Sequence, residues 1–289
     1  MPSTVIDGIS THYQVVGQGP PLLMFSPGGF DATIEKWTTQ GIYARIRPLE
    51  HLSRQYTCIA FDRRESGESG GRLEPITWAH YAAQGKGLLD HLGIARAHLM
   101  GACMGCSPVL AFAVAHPEAA ASLVLYWPVG GPHYRVNSHA RFAEHLDFVR
   151  ANGLDGVVSL VRTGRKPFNQ DPRGGPWAAT IRRDISFAGE YVDYDPHAYK
   201  SLVADMRDSL FDRDTSPGAK PEDLFKVEAP ALVVPGGDRT HAISAARYLQ
   251  ECLPGAEYWD APAEAQTETT APQRLLEFLN RQPAIIPHA

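Results

Sequence analysis

A cysteine flanked by two glycines is the feature of this sequence that most directly suggests chemistry. Residues 101–106 read Gly-Ala-Cys-Met-Gly-Cys and follow a short apolar run, which is typical of a sharp turn from a strand into a helix. Glycine suits the positions on either side of Cys103 because the chain must pass close to neighbouring backbone there. A thiol at the start of a helix is readily ionised and is then a good nucleophile. Cys103 is therefore the first candidate for a catalytic residue.

Two other interpretations of this segment stay open from its residues alone. Cys103 and Cys106 form a Cys-x-x-Cys pair at a strand-to-helix junction, which is also the pattern of a redox-active dithiol. Cysteine is often buried as a small, inert apolar side chain as well. The rest of the chain must decide between a nucleophile, a redox pair and a core residue.

Size and composition indicate an ordinary globular protein. The chain has 289 residues, of which 44% are hydrophobic and 20% charged, and its formal net charge is −5. This length suits one large α/β domain with an insertion, or two domains. The charge gives no reason to expect nucleic acid or an acidic membrane as a partner. We expect a small-molecule substrate instead, and leave open whether the chain forms a homodimer.

The cysteine usage and the first residues suggest where the protein works. Four cysteines are too few and too scattered for a disulfide scaffold, and they suit a reducing compartment. The N-terminal residues lack the basic and then apolar regions of a secretory signal, so a cytoplasmic location is expected. The chain has no Cys/His cluster with the spacing of a zinc site. We expect no metal and no cofactor.

Strand-like and helix-like segments alternate along most of the chain, which predicts a mainly parallel sheet covered by helices on both faces. A helical stretch is expected over about residues 34–52, before the cysteine. Residues 131–225 show no clear strand pattern, so they are predicted to form a helical cap. That cap would be inserted into a core domain formed by residues 1–130 and 226–289.

This order of elements, with the cysteine turn after the fifth strand, resembles the α/β-hydrolase superfamily over nearly the whole chain. Three local motifs carry the resemblance: Phe-Ser-Pro-Gly-Gly-Phe at 25–30, Asp-Arg-Arg-Glu-Ser-Gly-Glu-Ser at 62–69 and Gly-Asp at 237–238. The first is similar to the family's oxyanion loop, with Ser-Pro in place of His-Gly. The second is similar to a glycine-rich family turn, with Glu65 in place of one glycine. The resemblance implies an α/β-hydrolase fold with the nucleophile at Cys103.

Acyl transfer requires donors for a developing oxyanion and an oriented base besides the nucleophile. The resemblance places these donors at the backbone N–H of Met104 and at that of Gly28 or Gly29. It also places the acid that orients the base at Asp238. Trp127, at the end of a strand beneath the cap, is expected to line the substrate pocket.

The base is marked less clearly by the sequence. In this superfamily it is normally a histidine shortly after the last strand, whereas residues 260–268 contain none and offer Glu264 or Gln266 at that place. His241 is the preferred candidate because imidazole titrates near neutral pH and because it follows Asp238 on the same loop. His133 from the cap and Glu264 are the alternatives.

We therefore expect an enzyme that cleaves a small carboxylic ester or lactone through a thioester on Cys103. Cysteine nucleophiles in this fold are familiar from dienelactone hydrolases and acyltransferases. Since a thioester can also be attacked by nucleophiles other than water, acyl transfer and C–C bond hydrolysis stay open. The alternative from another class is a non-catalytic ligand-binding protein that keeps the fold and has lost the triad.

Overall fold

An eight-stranded sheet forms the centre of the computed structural model, which describes residues 1–285. The strands, in chain order, are β1 (Ser3–Ile6), β2 (Ile9–Val16), β3 (Pro21–Phe25), β4 (Thr57–Phe61), β5 (Ala97–Ala102), β6 (Ala120–Tyr126), β7 (Ala231–Val234) and β8 (Glu257–Tyr258). Their spatial order is β1-β2-β4-β3-β5-β6-β7-β8. β2 runs antiparallel to both of its neighbours, and every other adjacent pair is parallel. The predicted mainly parallel α/β architecture is confirmed.

Helices cover both faces of this sheet, and further helices form the segment between β6 and β7. In chain order, the helices are α1 (Lys36–Thr39), α2 (Gly41–Ile46), α3 (Pro48–Leu52), α4 (Trp78–His91), α5 (Cys106–Ala115), α6 (Pro132–Gly164), α7 (Ala178–Arg183), α8 (Ile185–Asp193), α9 (Pro196–Leu210), α10 (Pro221–Leu224), α11 (Ile243–Cys252) and α12 (Thr270–Leu279). The central strands are apolar on both faces because each face is covered. In β3, Leu22 and Met24 belong to one core, and Leu23 and Phe25 belong to the core on the opposite face, as the alternation of side chains along a strand requires.

The helical stretch predicted over residues 34–52 forms three short helices, α1, α2 and α3. The breaks lie at Gln40, which is extended with φ of −101° and ψ of 118°, and at Arg47, which is left-handed with φ of 47°. A helix cannot continue through a left-handed residue, and Pro48 then starts α3 at its first position, where a missing N–H is tolerated.

The edge strand β1 was not expected from the sequence. It pairs with β2 through a hairpin whose two turn residues, Asp7 and Gly8, both have positive φ. An Asp-Gly pair is a strong signal for this kind of turn. The apolar pattern around it is weak because β1 is half exposed.

The segment from 131 to 225 contains α6 to α10 and no strand of the sheet. Within α6 the helical geometry breaks at Gly153, where φ is 70°. The segment contacts the loop after β3, where Phe30 packs edge-on against Phe142 and Phe168 at centroid distances of 5.6 and 5.4 Å. Its description as an inserted cap stays a prediction. No helix within residues 1–285 is both long enough and apolar enough to cross a membrane.

Candidate active site

Cys103 follows β5 directly and has φ of 55°, a left-handed conformation that residues with side chains rarely adopt. Both flanking glycines are required by close backbone contacts. A Cβ atom at Gly101 would lie 2.4 Å from the carbonyl oxygen of Gly105, and one at Gly105 would lie 2.4 Å from that of Phe25. The turn therefore presents Cys103 at the carboxyl edge of the sheet in a strained geometry, of the kind that concentrates at functional sites.

A cavity of about 240 Å³ lies beside the Cys103 sulfur. Its wall includes Gly28, Gly29, Met104 and His241, which come from the chain following β3, β5 and β7. Because the carboxyl ends of parallel strands share one edge of the sheet, residues distant in sequence meet there. Cys103 itself is only 8% exposed, so a substrate would reach the sulfur through this cavity.

His241 is held by Asp238 on the loop between β7 and α11. Its Nδ1 lies 2.9 and 3.0 Å from the two carboxylate oxygens. One of these oxygens also accepts the backbone N–H groups of Thr240 and His241 at 2.7 and 2.8 Å. The carboxylate thus fixes both the ring and the loop that carries it. A carboxylate on Nδ1 leaves Nε2 as the ring atom available for proton transfer.

The charges of Cys103 and His241 stabilise each other. Burial alone would raise the pKa of the Cys103 thiol, but the positive charge of His241 and the N–H groups of Gly28 and Met104 bring it below its ordinary value. Burial would lower the pKa of His241, yet Cys103 and Asp238 raise it to about 10. The hydrogen bond from His241 holds the pKa of Asp238 well below its usual range. These opposite shifts in the pKa values of Cys103 and His241 favour a thiolate beside an imidazolium.

Cys103 and His241 do not form a regular hydrogen bond. His241 Nε2 is buried and has no regular hydrogen-bond partner within residues 1–285. Catalytic contacts are often long in the absence of substrate and tighten when it binds. The proximity is nevertheless sufficient for each group to shift the pKa of the other.

Backbone donors reach the sulfur from two of the predicted positions. The N–H groups of Gly28 and Met104 both interact with Cys103. Gly28 has φ of 111°, which favours glycine there. Gly29 lines the cavity, and a Cβ atom on it would lie 2.9 Å from the side-chain oxygen of Asn169. That Gly28, Gly29 and Met104 donate to the oxyanion of a bound substrate remains a prediction.

Arg63 holds the loop that carries Gly28 and Gly29. It is fully buried, and its Nη2 donates to the carbonyl oxygens of both glycines, the second at 2.6 Å. Its guanidinium also lies over the ring of Tyr81, 4.9 Å from the centroid. Since the carbonyls are engaged by Arg63, the N–H side of the loop is left to face the sulfur. The sequence carried no signal for this contact beyond an arginine in the turn after β4.

Trp127 lies behind the imidazole and is not part of the described cavity wall. Its ring packs against that of His241 at a centroid distance of 5.4 Å. Its Nε1 donates to Gln266 Oε1 at 2.7 Å, and Tyr126 donates to the same oxygen at 2.8 Å. Gln266, one of the two residues offered for the family's histidine position, is thus buried and holds Trp127 beside His241.

The two alternative bases do not line the cavity beside Cys103. His133 is exposed on the first turn of α6, and Glu264 is exposed and lines a different surface cavity. Cys106 is buried, and its thiol donates to the carbonyl oxygen of Gly101 at a sulfur–oxygen distance of 3.2 Å. Burial raises the pKa of Cys106 well above its ordinary value, which favours packing over redox chemistry at this residue.

The remaining cavity wall comes mostly from the helical segment and is largely aromatic. Phe142 packs edge-on against Phe168 at 5.2 Å and contacts Phe211 at 5.8 Å. Polar groups are few, and they include Arg141 and Asn169. An apolar pocket with a few convergent polar groups is typical of a small-molecule site. The sequence did not single out Arg141 or Asn169 because nothing in their local pattern distinguishes them from surface residues.

Comparisons with known proteins agree with this architecture. A family model described as the alpha/beta hydrolase fold matches residues 21–164. The crystal structure of the enol-lactonase from Burkholderia xenovorans LB400 aligns with 97% of this chain and 100% of its own, with a TM-score of 0.62 and 21% identity. This chain therefore has the α/β-hydrolase fold.

Two curated relatives match shorter stretches of the chain. The chain is 31% identical over 125 residues to the dihydrolipoyllysine-residue acetyltransferase component of the acetoin cleaving system of Cupriavidus necator, which is 43% of this chain and 31% of that protein. It is 32% identical over 120 residues to 2-hydroxy-6-oxo-6-phenylhexa-2,4-dienoate hydrolase of Comamonas testosteroni, which is 41% of this chain and 40% of that protein. The matches therefore span less than half the length of these two relatives.

Proposed function

We propose that this α/β-hydrolase cleaves a small carboxylic ester or lactone through a thioester formed on Cys103. The observation that carries the proposal is the placement of His241, which is bound by Asp238 and lies close enough to Cys103 to favour a thiolate. Nucleophile, base and orienting acid are the three groups that covalent acyl transfer requires.

In the first step, the Cys103 thiolate attacks the carbonyl carbon, and the N–H groups of Gly28 and Met104 stabilise the oxyanion. The C–O bond of the ester breaks, and the leaving alkoxide takes a proton from the imidazolium of His241. In the second step, water attacks the thioester and gives a proton back to His241. The carboxylic acid product leaves, and the thiolate is restored.

The size and lining of the cavity support a small substrate. A cavity of about 240 Å³ is smaller than the roughly 300–1,000 Å³ of pockets for drug-sized ligands. Several proteins of the same fold are named for related reactions, including an enol-lactonase and an esterase, RhEst1, from Rhodococcus. These names support hydrolysis of an ester or lactone without specifying the compound.

Intact-mass spectrometry tests the proposal directly. Brief incubation with p-nitrophenyl acetate should add one acetyl group to the protein, and peptide mapping should place it on Cys103. Cys103→Ala should abolish both the adduct and p-nitrophenol release beyond the background rate. Cys252→Ala, which removes a buried thiol from α11, should leave both unchanged. Full turnover by Cys103→Ala would overturn the proposal. A wild-type protein that never acquires the acetyl group would overturn it as well and would favour a non-catalytic binding protein.

The same experiment separates hydrolysis from acyl transfer. The matched stretch of one relative belongs to a protein named as an acetyltransferase component, so transfer to a second acceptor is the competing outcome. Adding a primary alcohol during turnover should still yield mainly free acid if water has access to the thioester. A predominant ester product would instead assign the chain to acyl transfer.

A further inference from the structure

Arg141 is the arginine among the described residues that line the cavity. It lies on α6 and lines the cavity beside Cys103. Nearby arginines are paired with acids, as Arg150 is with Asp147 and Arg173 with Asp171, both at 2.8 Å. Within residues 1–285, no carboxylate lies within 4 Å of the Arg141 guanidinium.

The charge balance of the cavity is positive. No aspartate or glutamate is among the described residues that line it. The thiolate of Cys103 and the imidazolium of His241 together contribute no net charge, so Arg141 adds one uncompensated positive charge. A cavity of one sign of charge with low-dielectric walls concentrates ligands of the opposite sign.

The surroundings of Arg141 make an anionic ligand favourable. Its neighbours in the wall include Phe142 and Phe168, which offer the guanidinium no hydrogen-bond acceptor. Arg141 is partly exposed, and a carboxylate that enters the cavity would pair with its guanidinium through two parallel hydrogen bonds. Asn169 lines the same cavity and can donate from its amide group as well.

Arg141 also lies within electrostatic reach of the reacting centre. Burial raises the pKa of Tyr134, the Cys103 charge adds to this effect, and the charges of Arg63 and Arg141 oppose it. Tyr134 lines the same cavity as Cys103 and Arg141, and Phe211 packs against its ring at 5.7 Å. One small molecule could contact Cys103 and Arg141 together.

We propose that Arg141 selects esters or lactones that carry a carboxylate group in addition to the bond that is cleaved. This inference rests on the proposed function, because it names the substrate class of the same site. The carboxylate would pair with Arg141 while the carbonyl carbon lies against the Cys103 sulfur.

Two esters with five-carbon acyl groups test this specificity. One is the mono-p-nitrophenyl ester of glutaric acid, which keeps a free carboxylate, and the other is p-nitrophenyl pentanoate. The wild-type protein should have the higher kcat/KM for the carboxylated ester. In Arg141→Gln the ratio of the two kcat/KM values should fall about 10- to 100-fold, the size expected for a charge-assisted hydrogen bond. Arg150→Gln, on the same helix but outside the cavity, should keep the wild-type ratio.

Charge reversal distinguishes recognition from a structural role. Arg141→Glu should raise kcat/KM for a p-nitrophenyl ester with a terminal trimethylammonium group, relative to the pentanoate. A merely structural arginine would give no such gain. Equal ratios in wild type and Arg141→Gln, together with acylation of Cys103 by the neutral ester, would overturn this inference alone and leave the proposed function standing.

If neither ester acylates Cys103, the proposed function is rejected. A binding measurement then tests the role of Arg141 by itself. Calorimetry with Cys103→Ala should then show glutarate binding that is weakened at least about 10-fold by adding Arg141→Gln. Undetectable glutarate binding, or equal affinity in the two proteins, would overturn the role of Arg141 as well.

Discussion

His241 Nδ1 lies 2.9 Å from Asp238 Oδ2, and both residues belong to the single loop between β7 and α11. The same carboxylate accepts backbone N–H bonds from Thr240 and His241, so the loop is closed around it. The orientation of the ring consequently depends on one local turn and not on the docking of two separate loops. In the proposed mechanism this short turn supplies both the base and its orienting acid.

The first prediction concerns the ionisation of Cys103. Replacing His241 by glutamine removes the charge that opposes burial, so the pKa of Cys103 should rise above the ordinary thiol value of about 8.5. The rate of alkylation by iodoacetamide, followed against pH, reports the thiolate. Wild-type protein should reach its maximum rate at a lower pH than His241→Gln does.

The upper limit of the pH profile follows from His241. Its pKa is raised to about 10, so the imidazolium that protonates the leaving group should persist to about that pH. Ester turnover should therefore rise as Cys103 ionises and fall again only near pH 10. His133→Gln, which changes an exposed histidine, is the control and should keep the wild-type profile. An unshifted alkylation midpoint in His241→Gln would remove His241 from the mechanism.

The second prediction concerns the glycines of the turn. Gly105→Ala would bring a methyl group to about 2.4 Å from the Phe25 carbonyl oxygen, so the turn must distort. We expect a loss of several kcal/mol in unfolding free energy or no soluble protein, because backbone strain and overpacking both contribute. Gly189→Ala is the matched control, since a Cβ at this residue of α8 meets nothing within 4 Å. Chemical denaturation should show it unchanged or stabilised by up to about 1 kcal/mol.

Much of this architecture could be predicted from the sequence because the relevant signals are local. The Gly-x-Cys-x-Gly pattern carries the steric requirement of the turn, and the apolar runs of the buried strands carry the parallel sheet. The strand before His241 and the Gly-Asp that follows it were also recognisable. Each of these features depends on residues that are close together in the chain.

The features that could not be predicted depend on contacts between distant segments. Arg63 binds the carbonyls of Gly28 and Gly29 across 35 and 34 residues, and Gln266 binds Trp127 across 139. No periodicity encodes such a contact. The division of residues 36–52 into three helices was missed for another reason: Arg47 is left-handed, and a residue other than glycine gives little signal of that conformation in the sequence.

The third prediction concerns Arg63. Arg63→Lys keeps the charge but replaces the planar guanidinium, which bonds both glycine carbonyls, with a compact ammonium. The oxyanion loop should lose its fixed orientation, and kcat should fall about 10- to 100-fold with less change in KM, because oxyanion donors act mainly in the transition state. Arg183→Lys is the control, since that guanidinium also binds two backbone carbonyls, those of Gly67 and Ser69. A kcat loss of the same size in both variants would show that the effect is not specific to the loop.

The fourth prediction concerns Gln266. Gln266→Leu leaves the hydroxyl of Tyr126 and Nε1 of Trp127 without their acceptor, and the carbonyls of Pro235 and Ala261 without a donor. An unsatisfied buried polar group costs about 1–3 kcal/mol, so urea denaturation should show a loss of at least about 2 kcal/mol.

The activity of the Gln266 variants should follow the support that Trp127 gives to His241. Gln266→Glu retains an acceptor for Tyr126 and Trp127 and loses only the donor, so its kcat should lie between those of wild type and Gln266→Leu. Gln273→Leu changes an exposed glutamine that bonds only Glu277, and it should stay within about 0.5 kcal/mol of wild type. If Gln266→Leu were destabilised with an unchanged kcat, the glutamine would hold the fold together without positioning the imidazole.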